Sequence, residues 1–442
     1  MVSSPDNTPT IEGTTPANGE QNVSLSTSVS ANELSIPNDL DGVFGVDNST
    51  ITNQSVKLFK VSTETEIPAT VNGSGGGDVI SLTPNFPLEI NTVYRFEVDG
   101  VKDLTGVAFA PFSSTFTTAA DNTGSGNALD NVSFTNGGSV ATDGMYTSLE
   151  VGPDGKLYGL KISGEVDRWV IDPDGRLSSQ ETITTLVASA GIRAAIGFAF
   201  APSSNAGNLV AYVSHSEGVL NNGQPWDGKI SQLSGPNLEN YALVVTNLPR
   251  SRRDHLVNSI TFNPNEDNVL YFNVGSNSAG GAIDNGWGNR FERLLSAATL
   301  RLDLDLLPST EWPLNAKTTM NQDAINNVDV NSPTLGTGLG TYRENGRNDP
   351  DDGTYNPYYV NAPLTIFATG IRNAYDLVWH TNGQMYVPTN GTAGGSNTPA
   401  SVDGNRRPDG TYYNHADPEG RFPVVPATFA NNTQRDFLFR IA

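Results

Sequence analysis

One recurring pattern limits what this chain can fold into: an apolar stretch, a polar turn built on Pro, Asp, Asn or Gly, and a second apolar stretch rich in Tyr and Val. The copies are LEVGPDGKLYGL at 149–160, GFAFAPSSNAGNLVAYVS at 197–214, SITFNPNEDNVLYFNVG at 259–275 and DLVWHTNGQMYVP at 376–388. Apolar runs on either side of such turns specify antiparallel hairpins. A hairpin unit repeating at roughly 40 to 60 residues specifies the blades of a β-propeller rather than a helical solenoid. GEVDRWVIDPDGRL at 164–177 supplies outer strands for the first copy, and RLLSAATLRLDLDL at 293–306 extends the third. The polar insert that follows, up to Pro363, is expected to lie over one rim. Four inner hairpins are countable, and a fifth is expected to begin near Phe437. Because a propeller's last blade must meet its first, this count predicts an incomplete propeller. The abrupt end in an alternating stretch, DFLFRIA, predicts that the chain is a fragment.

Ahead of the hairpins, residues 11–118 carry short alternating stretches between Gly, Asn, Pro and Asp clusters, the spacing of a β-sandwich. The run PANG at 16–19, the passage from Pro87 to Val107 and FSSTFTT at 112–118 resemble the bacterial Ig-like domains of surface-layer and other exported proteins. Residues 119–128, AADNTGSGNA, offer nothing to a core and read as a linker. The expected partition is a tail at 1–10, an Ig-like sandwich at 11–118, the linker at 119–128 and the propeller at 129–442.

A formal net charge of −22 argues against a nucleic-acid backbone or an anionic lipid surface as partner. With no cysteine there is no disulfide framework and no thiolate metal site. Neither a leader-like start nor an apolar run of the ~18 residues a membrane helix needs is present. Phosphate-binding loops, two-histidine zinc motifs and nucleophile elbows are also missing.

Among the 4 histidines, His255 is the candidate base, because it precedes an inner strand and has Asp254 beside it. The residues alone leave open a satisfied loop histidine. Arg372 and Asn373 open the next inner hairpin, where a guanidinium and an amide suit an anionic cofactor oxygen. An arginine bridging two blades is the other reading. Asn390, Gly391 and Thr392 close that hairpin with carbonyls that suit a hard cation such as calcium. The Asp-rich turns at 152–156 and 172–175 read as turns, and Asp349, Asp351 and Asp352 as a solvated loop. Trp226, Trp287, Tyr358 and Tyr359 suit either sugar stacking or blade packing. His215, His380 and His415 read as structural.

The stretches holding Asp254 and His255, LLSAATLRLDLD at 294–305, and GIRNAYDLVWH at 370–380 with Asn390 and Gly391 resemble the glucose/sorbosone dehydrogenase family. That resemblance implies a six-bladed-type β-propeller, truncated here at its C-terminal end, that uses pyrroloquinoline quinone (PQQ) and calcium. It implies that His255 removes the proton from a sugar hydroxyl as hydride passes to the quinone, with Asp254 in support. It places Arg372, Asn373 and Asn390 at the cofactor and the carbonyls of Gly391 and Thr392 at calcium. Where the family carries a glutamine this chain offers Arg193, and Ser276 stands where an acidic residue is usual. The alternative is a non-catalytic extracellular propeller that binds glycan or a protein partner, with the Ig-like domain as spacer. Either way the expected location is extracellular, periplasmic or at the cell surface.

Overall fold

The computed structural model describes residues 8–36, 45–73, 79–120, 144–219, 221–283, 286–319, 322–335, 342–344, 347–349, 353–380, 382–392, 396–430 and 434–441. The chain is all-β in character and forms two compact units. One comprises residues 1–136, 391–396 and 429–435, and the other residues 137–390, 397–428 and 436–442.

The first unit is a sandwich of two sheets. One sheet runs in the order Thr10–Thr15, Val29–Ser35, Ile80–Pro84, Ala69–Gly73. The other runs Glu20–Val23, Phe112–Thr118, Val93–Val98, Val56–Lys60, Thr65–Glu66. Period-two alternation decides which residues go inward: Tyr94, Phe96 and Val98 on one strand and Ser114, Phe116 and Thr118 on its neighbour are buried. Tyr94 stacks on Phe116 at 5.8 Å, and Val29, Leu34, Ile80 and Leu82 close the core from the opposite sheet. The Ala119 amide donates to the Val23 carbonyl at 2.9 Å, so the sandwich includes the first residue assigned to the linker. Residues 121–128 of that linker lie outside the described residues.

The second unit is built of consecutive antiparallel meanders, the blade architecture of a propeller. Blade 1 is Tyr146–Val151, Lys156–Lys161, Val166–Ile171 and Leu177–Ile183. Its two Asp-Gly turns are turns as expected, with Gly155 at φ 76° and Gly175 at φ 81°, values only glycine takes without strain. Blade 2 is Arg193–Phe200, Leu209–Glu217, Gly228–Gly235 and Asn240–Leu248. Leu314–Asn315, from the polar insert, adds a parallel strand that covers the outer edge of blade 2. Blade 3 is Val257–Phe262, Val269–Val274 and Ala298–Asp303, completed across the whole insert by Leu364–Thr369. Asp351 and Asp352 of the insert lie outside the described residues, and Asp349 ends the short strand Arg347–Asp349.

Blade 4 corrects one expectation. Phe437–Ile441 does not open a fifth hairpin: it pairs antiparallel with Met385–Thr389 as the third strand beside Val378–Trp379. Local alternation identifies a strand but not its partner, and 390–436 intervene.

The first strands of blades 1, 2 and 3 pack side by side. Thr147 Oγ1 donates to the Ala195 carbonyl at 2.9 Å, and Asn273 Nδ2 donates to the Asp376 carbonyl at 3.0 Å. Apolar side chains such as Ile230, Val245, Leu270, Phe272 and Leu300 fill the space between blades 2 and 3.

Blade 1 also buries a charge. Asp167 is 0% exposed, lies 3.0 Å from Lys161 Nζ, and accepts from Tyr146 Oη and Thr182 Oγ1, each at 2.6 Å. Burial raises its pKa, but the bonds from Thr182, Tyr146 and Lys161 outweigh burial and hold it below the ordinary 3.8. A depressed carboxylate stabilises the fold above its unfolded pKa, and that contribution is lost as pH falls through the folded value. Asp167→Asn, which turns an NH₂ toward these donors, is expected to cost about 2 kcal/mol. Urea unfolding at about pH 7 should show the deficit, and at about pH 3 the gap to the parent chain should narrow. Among the described residues no helix is long and apolar enough to cross a membrane.

Candidate functional site

The site forms where blade 3 begins and where its second strand ends. Ser251 shapes the approach: its hydroxyl accepts from the amides of Arg253 (3.0 Å) and His255 (3.1 Å), and its own amide donates to the His255 carbonyl. That turn delivers His255 just ahead of Val257–Phe262. At the far end of the hairpin, the Ser276 amide donates to the Arg372 carbonyl at 2.7 Å, joining blade 3 to the start of blade 4. Gly275 allows this approach, because a Cβ there would stand 2.6 Å from His255 Cβ and 2.7 Å from Asn373 Oδ1.

His255 is 3% exposed, and its Nδ1 lies 3.0 Å from both the carbonyl and the hydroxyl oxygen of Ser276. A carbonyl only accepts, so Nδ1 carries the proton and Nε2 keeps the lone pair. Burial first, and then the positive charges of Arg372 and Arg253, hold the imidazole well below its usual pKa; the Ser276 carbonyl opposes them only in part. The ring is therefore neutral at physiological pH, the state a general base requires.

Trp287 gathers the cations. The His255 ring sits 4.3 Å from the Trp287 ring, with the Arg253 and Arg372 guanidinium carbons 5.8 and 5.9 Å from the indole centroid. Arg372 Nε also donates to the Ala279 carbonyl at 2.7 Å. His255 and Arg372 thus both approach the Trp287 ring. Asp254 is half-buried on the same turn, and the partner of His255 Nδ1 is Ser276.

The amides form a ladder. Asn258 Nδ2 donates to Asn373 Oδ1 at 2.8 Å, and Asn373 Nδ2 donates to Asn390 Oδ1 at 3.1 Å. One N–H of Asn373 remains outside the ladder for a ligand oxygen. Arg193 serves blade 2 instead, donating to Asp227 Oδ2 at 2.6 Å and to His215 Nδ1 at 3.1 Å. His215 is buried and pushed down to about 3, by burial and then by Arg193 and Lys229. Gly391 and Thr392 belong to the first compact unit, where Gly391 packs on the backbone of Gln434 and Arg435. There the Thr392 carbonyl accepts from the Gln434 amide at 2.8 Å. That bond uses one of the two lone pairs of the Thr392 carbonyl. Among the described residues no cluster of three or more His, Cys, Asp or Glu is placed to hold a metal ion.

Ser276, Arg253 and Trp287 are parts of the site whose roles the residue types did not reveal. Trp287 was visible only as a loop aromatic. No spacing rule links it to His255.

Residues 5–118 match the bacterial Ig-like domain family. This places the Ig-like domain on the sandwich. No curated protein matches the chain. Among solved structures, the holo PQQ domain of pyranose dehydrogenase from Coprinopsis cinerea is 13% identical at a TM-score of 0.35, covering 58% of this chain and 49% of that one. A putative oxidoreductase (glucose dehydrogenase) from Thermus thermophilus is 17% identical at a TM-score of 0.28, covering 64% and 73%. The N-terminal part of the bacterial S-layer protein SbsC is 15% identical at a TM-score of 0.20, covering 47% and 40%. The chain spans about half the length of the pyranose dehydrogenase domain. With TM-scores of 0.20 to 0.35 these likenesses carry no weight for function.

Proposed function

We propose that this chain is part of a quinoprotein oxidoreductase that oxidises a sugar hydroxyl, with the Ig-like domain as a spacer on an extracellular or cell-surface protein. The observation that carries the reading is His255, a neutral imidazole with its lone pair on Nε2, packed on the Trp287 ring that the Arg372 guanidinium also approaches. Two guanidiniums at one indole, with an amide N–H nearby, are a donor set that fits the carboxylates and carbonyls of PQQ. PQQ, when bound, supplies a two-electron acceptor for hydride. His255 Nε2 would take the proton from the hydroxyl oxygen, while the acceptor would take the hydride from the carbon that bears it, leaving a carbonyl. Arg372 and Asn373 hold anionic and carbonyl oxygens, and Ser276 keeps the imidazole in the required tautomer.

Binding tests this directly. PQQ added to the chain is expected to quench tryptophan emission, and Arg372→Ala is expected to weaken binding about 10- to 100-fold, the range of a lost charge-assisted contact. Equal affinity in the variant, or no binding by the folded chain, would count against the reading. A second reading, a non-catalytic propeller that binds glycan or protein, is favoured by one observation: His255 is 3% exposed against Trp287, as a structural histidine would be. Under that reading PQQ does not bind.

A further inference from the structure

Loop 275–297 of blade 3 supplies both the groups that hold His255 and a carboxylate that holds the loop. Glu292 Oε1 accepts from the Ser278 amide at 2.9 Å and from the Ser278 hydroxyl. Its Oε2 accepts from the Asn277 amide at 2.9 Å and from Ser296 Oγ at 2.6 Å. Four donors saturate the two oxygens of an ionised carboxylate. Withdrawal from solvent raises the Glu292 pKa, and the four donors pull against that rise. From this clamp the bonds lead to the imidazole: Ser276 Oγ donates to the Ser278 carbonyl at 2.6 Å, and Ser276 in turn receives His255 Nδ1 at 3.0 Å. Asn277 also ties the loop to itself, its Nδ2 donating to the Phe291 carbonyl at 2.7 Å.

We propose that Glu292 is a positioning residue for His255: by clamping Asn277 and Ser278 it orients Ser276, and through Ser276 it sets the tautomer and angle of the imidazole. Glu292 bonds neither His255 nor the reacting atoms, so it acts only through the loop. The inference rests on His255 as the base, and its functional meaning is lost if that role fails, but its structural content can be measured separately. An acidic group thus acts on this imidazole through two serines, Ser278 and Ser276.

Ring-nitrogen NMR on the chain labelled with ¹⁵N-histidine gives the decisive readout, since only 4 histidines contribute and His255→Ala identifies the relevant signals. The parent chain is expected to show His255 as a single Nδ1–H tautomer. In Glu292→Gln an NH₂ faces two of the four donors, so the His255 nitrogens should shift toward tautomer averaging. His215, held in blade 2 by Arg193 and Ser231, should stay in place. Ser278→Ala, which spares the two amide donors and Ser296, should shift His255 in the same direction by less. It decides the matter if Glu292→Gln does not fold. Unchanged His255 signals overturn the proposal, and so does a common shift of His255 and His215, which would mean general loosening. Where the parent turns over sugar, Glu292→Gln should lower kcat about 10- to 100-fold at unchanged KM, the scale of a misplaced catalytic group. A parent with no turnover defeats the redox reading, while the spectra still decide the role of Glu292.

Discussion

Replacing His255 by alanine is expected to lower sugar-dependent dye reduction about 10²- to 10⁴-fold, the usual contribution of a positioned base, while PQQ affinity changes little. The reason is a division of roles. Under the proposed function the imidazole would offer Nε2 for the proton, whereas the charge-bearing contacts would come from Arg372 and Arg253, at 5.9 and 5.8 Å from the indole of Trp287. Dye reduction measured across pH should show no loss of the parent's activity between about pH 6 and 7 from His255 itself, because its folded pKa lies well below 6.5. Circular dichroism on the alanine variant separates lost chemistry from lost fold. Turnover within about threefold of the parent would remove His255 from the mechanism.

Gly197→Ala is expected to destabilise the propeller unit by about 3 kcal/mol, the upper part of the range for overpacking. A Cβ there would sit 2.7 Å from Ile260 N, 2.9 Å from the Asn258 carbonyl and 2.9 Å from Ser214 Oγ. Two of these neighbours are backbone atoms of blade 3 and cannot swing away. The Ser214 hydroxyl already bridges the blades, accepting from Gly197 N at 2.8 Å and donating to the Asn258 carbonyl at 2.5 Å, so the methyl disturbs that bridge too. Because the Asn258 side chain donates to Asn373, the displacement should also reach the candidate site. Thermal unfolding should fall by roughly 6–12 °C. Gly207→Ala, whose Cβ meets only Asn205 Oδ1 at 3.5 Å, serves as the control. A Tm for Gly197→Ala equal to that of the control would show that the blades can part without penalty.

How much of this was legible in the chain differs from element to element. The hairpins were, because alternation and turn chemistry act over a few residues. LEVGPDGKLYGL folds as the strands Tyr146–Val151 and Lys156–Lys161 around Gly155, in register from Val151 with Leu157 to Tyr146 with Lys161. The sandwich was legible for the same reason, with Tyr94, Phe96 and Val98 at every second position. Strand partners across long inserts were not. Leu364–Thr369 belongs to blade 3, and Phe437–Ile441 pairs back onto Met385–Thr389, because strands far apart in the chain are matched by edge geometry and burial.

Within the site, residue type and position in the hairpin were enough to single out His255, Arg372 and Asn373. The groups that give them their properties were not visible. Ser276 lies 21 residues from His255, and Asn258 lies 115 from Asn373. The bond at His255 Nδ1 goes to Ser276, a residue delivered by the returning strand, which adjacency in the chain does not reveal.

The amino-acid order alone determined the all-β class, the sandwich ahead of a bladed unit and the turns, since each depends on interactions among near neighbours. Only the tertiary structure decided which nitrogen of His255 is protonated, which cations suppress its charge, which strand completes blade 3 and which strand joins blade 4. Those outcomes depend on burial and on hydrogen bonds between distant segments, and neither exists until the blades have packed.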